Sequence, residues 1–235
     1  MTLSPREIKL LNVVIREYTR TALPVGSGRL AEMLGNRFSP ATIRLDLADL
    51  EAEGYLTHPH TSAGRIPTSE GYRFYIDHLP SGEAWEPARR LTLEARSLQS
   101  DLEALARWAV KMLAEETGET AFAGVGLDQV FYTGLTNLFS KPEFQEHARI
   151  VRLSSILDHL DEMMHSIALG VPRDIRIYVG SENPFGAQCG SILMKVCLTP
   201  GVESLLGIIG PMRMDYERNM AIMRGMRLFF REPTR

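Results

Sequence analysis

The stretch of this chain that decides the fold is residues 39–77, SPATIRLDLADLEAEGYLTHPHTSAGRIPTSEGYRFYID. It begins with a helix signal, because Ser39 can cap a helix end and Pro40 suits the first helical turn. Apolar side chains then recur at helical spacing and are expected to face a core: Ile43, Leu47 and Leu50. Gly54 supplies a left-handed stop. The first third of the stretch therefore predicts a capped helix with one buried face.

The opposite face of this helix carries groups that can reach the edges of DNA bases, namely Thr42, Arg44 and Leu45. A helix of this kind enters the major groove with its N-terminal residues against the bases. Arg44 is the strongest candidate, because its guanidinium can grip guanine O6 and N7 or a phosphate. A surface salt bridge from Arg44 to Asp46 or Glu51 is the alternative. The pattern indicates a transcription factor.

Two further helices are predicted before this one, and a hairpin after it. The first helix begins at the capping box Ser4–Glu7, with proline at its first position, and the second is expected to be capped by Ser27. Strands over residues 55–58 and 65–67, joined by a turn over residues 59–64, would form the hairpin. Two packed helices, a third presented outward and a hairpin make a winged helix-turn-helix.

The residues expected to contact DNA lie around the third helix and in the hairpin. Hydroxyls at the helix start, with the free backbone N–H groups there, favour phosphate, although Ser39 can serve as a cap alone. Arg65 or His60 can enter the minor groove, and the alternative is a hairpin that only braces the fold. The predicted DNA-binding set is Arg37, Ser39, Thr42, Arg44, Leu45, His60, Thr61, Ser62, Gly64 and Arg65.

Composition limits how such a chain can bind DNA. The formal net charge of the 235 residues is -3, and the first 79 residues hold nine Lys/Arg and nine Asp/Glu. Affinity for DNA must therefore come from the local placement of positive groups. The 44% of hydrophobic residues is enough for a proper core. No signal peptide or membrane span is recognised, so the cytoplasm is the expected compartment.

Cofactors and catalysis are not expected. Cys189 and Cys197 form neither a disulfide framework nor a zinc spacing. Asp158, Glu162 and His165 share one helical face, but a solvated face is far more common than a metal site. No paired acid and base stand out, which argues against an enzyme.

A long linking helix is predicted over residues 87–116, after a linker over residues 79–83. Its apolar residues step alternately by four and three, which is a heptad seam. The candidates for pairing two chains are Leu91, Leu98, Leu102, Leu105 and Met112. The alternative is an ordinary amphipathic helix that lies on its own domain.

The rest of the chain mixes strands and helices, which predicts an α+β class with an effector-type C-terminal domain. The expected strands are residues 130–132, 175–179, 192–198 and 205–209, with a closing helix over residues 215–230. The expected domains are residues 1–79 for DNA binding, residues 80–118 for the linker and long helix, and residues 119–235 for regulation or dimerisation.

Four segments of the chain resemble one family, the heat-inducible transcription repressor HrcA of bacteria. Residues 41–77 resemble its winged-helix domain. The other three segments are FYTGLTNLFSKPEF (131–144), VGSENPFGAQCGS (179–191) and GIIGPMRMDYERNM (207–220). Together with the N-terminal helices they cover well over half of the chain.

The resemblance implies a dimeric repressor of chaperone genes that binds an inverted-repeat operator, called CIRCE, through its winged helices. It also implies a GAF-like second domain with an inserted dimerisation domain, and control by a GroEL-type chaperonin. A ligand-sensing winged-helix regulator of other genes is the alternative interpretation.

The chain departs from the family pattern in two places. Typical members carry about a hundred further residues between the segments that end near Thr117 and start near Val130. The GAF-like domain is therefore expected to be abbreviated, and the heptad seam becomes a candidate substitute for the family's dimer contact. The family usually places asparagine where this chain has Leu45, which predicts a shifted operator preference because an alkyl group suits a thymine methyl.

Overall fold

The computed structural model describes residues 3–60, 63–80, 82–86, 89–126, 129–146, 150–151, 154–155, 160–172 and 174–230. The chain divides into two compact units, each with its own core. The first comprises Met1–Pro80 with Met212–Asp215, and the second comprises Ser81–Pro211 with Tyr216–Arg235. Helices and an antiparallel sheet make up the structure, which confirms the predicted α+β class.

Three helices open the first unit: α1 (Pro5–Thr21), α2 (Ser27–Met33) and α3 (Pro40–Ala52). The predicted capping box is present, since Ser4 Oγ accepts from the Glu7 N–H and the Glu7 carboxylate accepts from the Ser4 N–H at 2.7 Å. The predicted cap of α2 is wrong. Ser27 is the first helical residue, and Gly26, which has no side chain to offer, occupies the cap position.

Helix α3 begins and ends where the sequence predicts. Ser39 Oγ accepts a hydrogen bond from the Thr42 N–H at 3.1 Å, and Pro40 is the first helical residue. Gly54 adopts a φ of +85°, the left-handed conformation that ends the helix region. The apolar stripe is fully buried: Ile43, Leu47 and Leu50.

A short hairpin and a fourth helix complete the first unit: β1 (Leu56–Thr57), β2 (Ile66–Pro67) and α4 (Ser69–Asp77). The two strands pair antiparallel and are shorter than predicted. Thr68 caps α4, because its hydroxyl oxygen accepts from the Gly71 N–H at 3.1 Å.

The second unit begins with two helices in place of the single long one, so the predicted long linking helix is wrong. They are α5 (Arg89–Ser97) and α6 (Leu102–Thr117). The Asp101 carboxylate accepts from the Ala104 N–H at 3.0 Å and starts a new helix there. The Ser97 hydroxyl donates to the Glu94 carbonyl oxygen at the end of the preceding one. Two polar caps thus interrupt the heptad pattern.

A five-stranded antiparallel sheet follows, in the order β4-β3-β7-β6-β5. Its strands are β3 (Thr120–Val125), β4 (Gln129–Thr133), β5 (Arg176–Val179), β6 (Cys189–Thr199) and β7 (Val202–Pro211). Four of them lie where the sequence predicts strands. Strand β3 was not predicted, because its residues are buried on both faces of the sheet and show no alternation of apolar and polar side chains.

The remaining helices cover this sheet: α7 (Leu135–Phe139), α8 (Leu160–Gly170) and α9 (Tyr216–Phe229). Helices α6 and α9 pack on each other and on the sheet. Side chains of α7 and α8 join a separate apolar cluster around Phe122, Phe185 and Leu193. A close approach of strands inside this cluster occurs at Gly207, which is paired in register with both Phe122 and Leu193.

We expect Gly207→Ala to destabilise the second unit, because the added Cβ would lie 2.4 Å from Phe122 Cζ and 2.6 Å from Leu193 Cδ2. Overpacking of this kind costs about 1–3 kcal/mol, measurable as a lower midpoint in urea unfolding. Gly170→Ala is the matched control, since its Cβ position has open space within 4 Å, apart from adjacent residues and the backbone of its own helix. Equal midpoints for the two variants would contradict this packing.

Candidate nucleic-acid interface

Helix α3 presents the predicted DNA-reading residues on the side opposite its buried stripe. Arg44 is exposed, and 69% of Leu45 is accessible to solvent. Thr42 is half-buried, and its Oγ1 lies 3.0 Å from Ser39 Oγ. The hydroxyl of Ser39 therefore serves the helix cap and Thr42 together, at the end of α3 where the backbone N–H groups point outward.

Arg37 and Arg44 are exposed cations without an ion pair to any residue that the structure describes. The alternative partners considered for Arg44 are engaged elsewhere. Asp46 pairs with Arg6, and Glu51 pairs with Arg65 at 2.7 Å and with His58. Both guanidiniums at this end of α3 thus keep their hydrogen-bond donors available for a phosphate or a base.

The Asp46–Arg6 pair anchors α3 to α1, and sequence reasoning did not identify it. Asp46 is only 4% exposed, and the Arg6 guanidinium also lies 5.7 Å from the centre of the Phe38 ring. A signal was present, because helical spacing puts position 46 on the same face as Ile43 and Leu47. A carboxylate on a buried face requires a cationic partner.

A second buried carboxylate, Glu17, links α1 to α2. Its oxygens accept from Arg20 Nη2 at 2.8 Å and from Arg29 Nε at 3.1 Å. The Arg20 hydrogen bond, helped by that of Arg29 and opposed by burial, holds the pKa of Glu17 below its usual value. Two ion-paired carboxylates therefore hold the three helices together. Asp46 links α3 to α1, and Glu17 links α1 to α2.

The hairpin places its predicted DNA-binding residues differently. His60 is exposed, whereas Thr61 and Ser62 lie outside the described residues. Gly64 is half-buried against the backbone of Val25, where an added Cβ would lie 2.4 Å from the carbonyl carbon. The Arg65 guanidinium lies against Glu51 of α3, and so it is already paired.

Two of the five seam residues are buried within their own unit. Leu105 is 1% exposed and Met112 is 5% exposed, because α6 packs on the sheet of its own unit. The prediction that these two residues pair two chains is therefore wrong. Leu98 and Leu102 are half-buried, and the side chain of Leu91 lies outside what the structure describes.

The described cysteines and acidic residues were also compared with the requirements of a metal site. Cys189 belongs to the apolar cluster of the second unit, and burial raises the pKa of its thiol to about 12. Within the described residues no group of His, Cys, Asp and Glu could hold a metal ion. Asp158 and the side chain of His165 fall outside that part of the chain. No described helix has both the length and the apolar character needed to cross a bilayer.

A family model described as the HrcA protein C terminal domain matches residues 75–220. The chain is similar to a heat-inducible transcription repressor HrcA of Halalkalibacterium halodurans, with 25% identity over 94% of each chain. It is 42% identical over 120 residues to the protein of the same name in Cutibacterium acnes, covering 51% of this chain and 35% of that one.

One solved structure, described as a hypothetical protein, has a TM-score of 0.75 and 20% identity over 97% of both chains, which shows a shared fold. The family match defines the class of protein, a transcription repressor, and the α+β architecture and the exposed Arg44 of α3 accord with that class. More particularly, the chain belongs to the HrcA family.

The alignment with the Halalkalibacterium protein also shows how this chain differs from its relatives. It extends over 325 positions, whereas 94% of this chain is only about 220 residues. About a hundred positions of the alignment therefore face no residue of this chain, as expected for a shortened member.

We expect Glu17→Gln to lower the free energy of unfolding by an amount that depends on pH. Because the folded pKa of Glu17 is lowered, the charged group contributes stability above its unfolded pKa and loses it as the pH falls through the folded value. The variant should melt below the parent at pH 7, and the gap should close in increasingly acidic buffers. Glu53→Gln, at an exposed position, is the control; a gap that persists in strong acid would contradict the pairing.

Proposed function

We propose that this protein is a sequence-specific, DNA-binding repressor of heat-inducible genes, of the kind that the names of its relatives describe. The first unit would act as a winged helix, in which α3 is the recognition helix and the β1–β2 hairpin is the wing. The observation that carries this proposal is the capped N-terminal end of α3, where Arg44 stands exposed and without an ion pair to any described residue.

Free guanidiniums matter here because the protein has no excess of positive charge. An Arg that is already paired with a carboxylate would have to break that pair before it could bind DNA. Arg37 and Arg44 are exposed next to the outward N–H groups of the α3 start, a combination that favours phosphate and guanine. Leu45, beside them, offers an alkyl surface that suits a thymine methyl.

The second unit is proposed to be a GAF-like domain that joins two copies on an inverted-repeat CIRCE operator. Two linked winged helices bind two half-sites far more tightly than one does, so occupancy depends on an intact second unit. Heating that unfolds this unit would lower the avidity and release the gene. A GroEL-type chaperonin that restores the folded state would restore repression.

Because Leu105 and Met112 of α6 are buried within their own unit, we propose that the two copies pair through other parts of the second unit. The proposed target is chromosomal DNA, and so the proposed compartment is the bacterial cytoplasm. The proposal is that of a binding protein rather than an enzyme, and it requires neither a metal nor a cofactor.

A cavity in the second unit supports a second candidate, a regulator that senses a small ligand. It has a volume of about 180 Å³ and lies between the end of α8 and the sheet. Lys195 and Glu203 form an ion pair at 3.4 Å at its wall, beside the apolar side chains of Met164 and Leu205. A metabolite retained in a native mass spectrum would favour this candidate.

We expect Arg44→Ala to weaken binding to a CIRCE duplex by about 1–3 kcal/mol, because one guanidinium contact to a base or phosphate is lost. Fluorescence anisotropy with labelled duplex measures the change. Arg107→Ala is the matched control, since it removes an exposed arginine of α6 in the second unit. Unchanged affinity in Arg44→Ala, with the fold intact by circular dichroism, would overturn the proposed function.

We expect Leu45→Asn to change which operator is preferred, because an amide can hydrogen-bond a base where an alkyl group can only contact a methyl. The measurement compares parent and variant on the CIRCE duplex and on a set of single-base-pair variants under the recognition helix. Each specific pair contributes about 1–3 kcal/mol of discrimination. Identical preferences of the two proteins would show that this side chain does not face a base.

A further inference from the structure

We infer that Glu51 is a positioning residue, which holds the wing on the recognition helix through Arg65 and His58. Arg65 then serves the geometry of the wing and does not contact DNA itself. The inference rests on the proposed function and concerns how one unit of the protein presents its two reading elements.

One carboxylate bridges both strands of the hairpin. Glu51 lies in the last turn of α3, and its Oε2 is 2.7 Å from Arg65 Nη2, while its Oε1 is bonded to His58 Nδ1. His58 directly follows β1 and Arg65 directly precedes β2. The recognition helix is thus tied to the strand that leaves for the wing tip and to the strand that returns from it.

Partial burial makes this arrangement stronger than an ordinary surface pair. The side chains of Glu51 and Arg65 are 24% and 21% exposed, so water and salt screen their attraction only in part. A flexible surface pair would contribute little to fixing the angle between helix and hairpin, whereas one carboxylate bonded to both Arg65 and His58 restricts that angle.

The backbone around Arg65 is fixed as well. Val25 and Arg65 exchange two backbone hydrogen bonds, each of 2.9 Å, next to the tight contact between Gly64 and Val25. With its backbone held on one side and its guanidinium on Glu51, Arg65 cannot be extended toward DNA without losing an ion pair. Such a move would also take the guanidinium away from the Glu51 carboxylate, on the helix that is proposed to face the phosphates.

Removal of the charge of Glu51 should change the affinity for DNA in opposite directions, depending on whether Glu51 positions the wing or only lies near DNA. A negative charge near DNA opposes binding, so its removal alone should raise affinity. If Glu51 positions the wing, Glu51→Gln should instead lower affinity for a CIRCE duplex, by about three- to tenfold for a partly exposed pair. Its affinity for a scrambled duplex should stay level or rise, so the specificity ratio falls.

Glu53→Gln is the matched control, because it removes the same charge two residues away at an exposed position. We expect its specific affinity to be unchanged or slightly higher. Higher specific affinity in Glu51→Gln, equal to that of Glu53→Gln, would overturn the inference and leave the proposed function standing.

Salt dependence supplies a second readout that does not rely on the stability of the Glu51 variant. Arg44→Ala should reduce the slope of log affinity against log salt by about one, as the loss of a phosphate contact does. Arg65→Ala should weaken specific binding with the slope unchanged. A slope reduced by about one in Arg65→Ala would assign Arg65 to DNA and overturn the inference. An Arg44→Ala variant that keeps both the parent's specific affinity and its salt slope would instead count against the proposed function.

Discussion

The burial of one face of α3 is the constraint on which the first unit depends. Ile43, Leu47 and Leu50 fix the rotation of the helix about its axis, and that rotation decides which residues face outward. The ion pair of Asp46 with Arg6 adds a polar contact on the inner side and ties α3 to α1. Arg44 and Leu45 lie on the exposed side of α3 because their neighbours in sequence are buried.

The arginines of the first unit fall into two groups, namely those in an ion pair with a carboxylate and those without such a pair among the described residues. Arg6, Arg20, Arg29 and Arg65 each face a carboxylate within the unit. Arg37 and Arg44 do not pair with any residue that the structure describes. A charge balance of zero over the first 79 residues is therefore compatible with a cationic patch, because most of the positive charge is used in ion pairs that hold the helices and the hairpin together. Net charge is a poor guide to a binding surface when most of the charged groups are held in ion pairs.

Much of the fold could be predicted from local signals. Ser4, Ser39 and Gly54 mark helix ends through hydrogen bonds or backbone conformations that involve only neighbouring residues. Strand β3 escaped prediction because its environment is set by strands that are distant in sequence. The predicted long helix is divided at Asp101, because the Asp101 carboxylate caps a new helix although the apolar repeat continues through it.

Contacts between distant residues account for what could not be predicted at the candidate site. The exposed positions of α3 follow from helical spacing, so Arg44 and Leu45 were identified correctly as outward-facing. The partner of Arg65 depends on how the hairpin folds back on α3, and no spacing rule gives that distance. Gly64 looked like a turn residue, yet the reason for glycine there is the nearby backbone of Val25.

The buried thiol of Cys189 bears on how the second unit meets oxidants. Peroxide and electrophiles react with thiolates, and a group whose pKa is about 12 is almost entirely protonated inside a living cell. Cys189 belongs to the same apolar cluster as Phe122, Phe185 and Leu193. At this residue the molecule is insulated from oxidants, whereas any loosening of the surrounding core would expose the sulfur along with everything else.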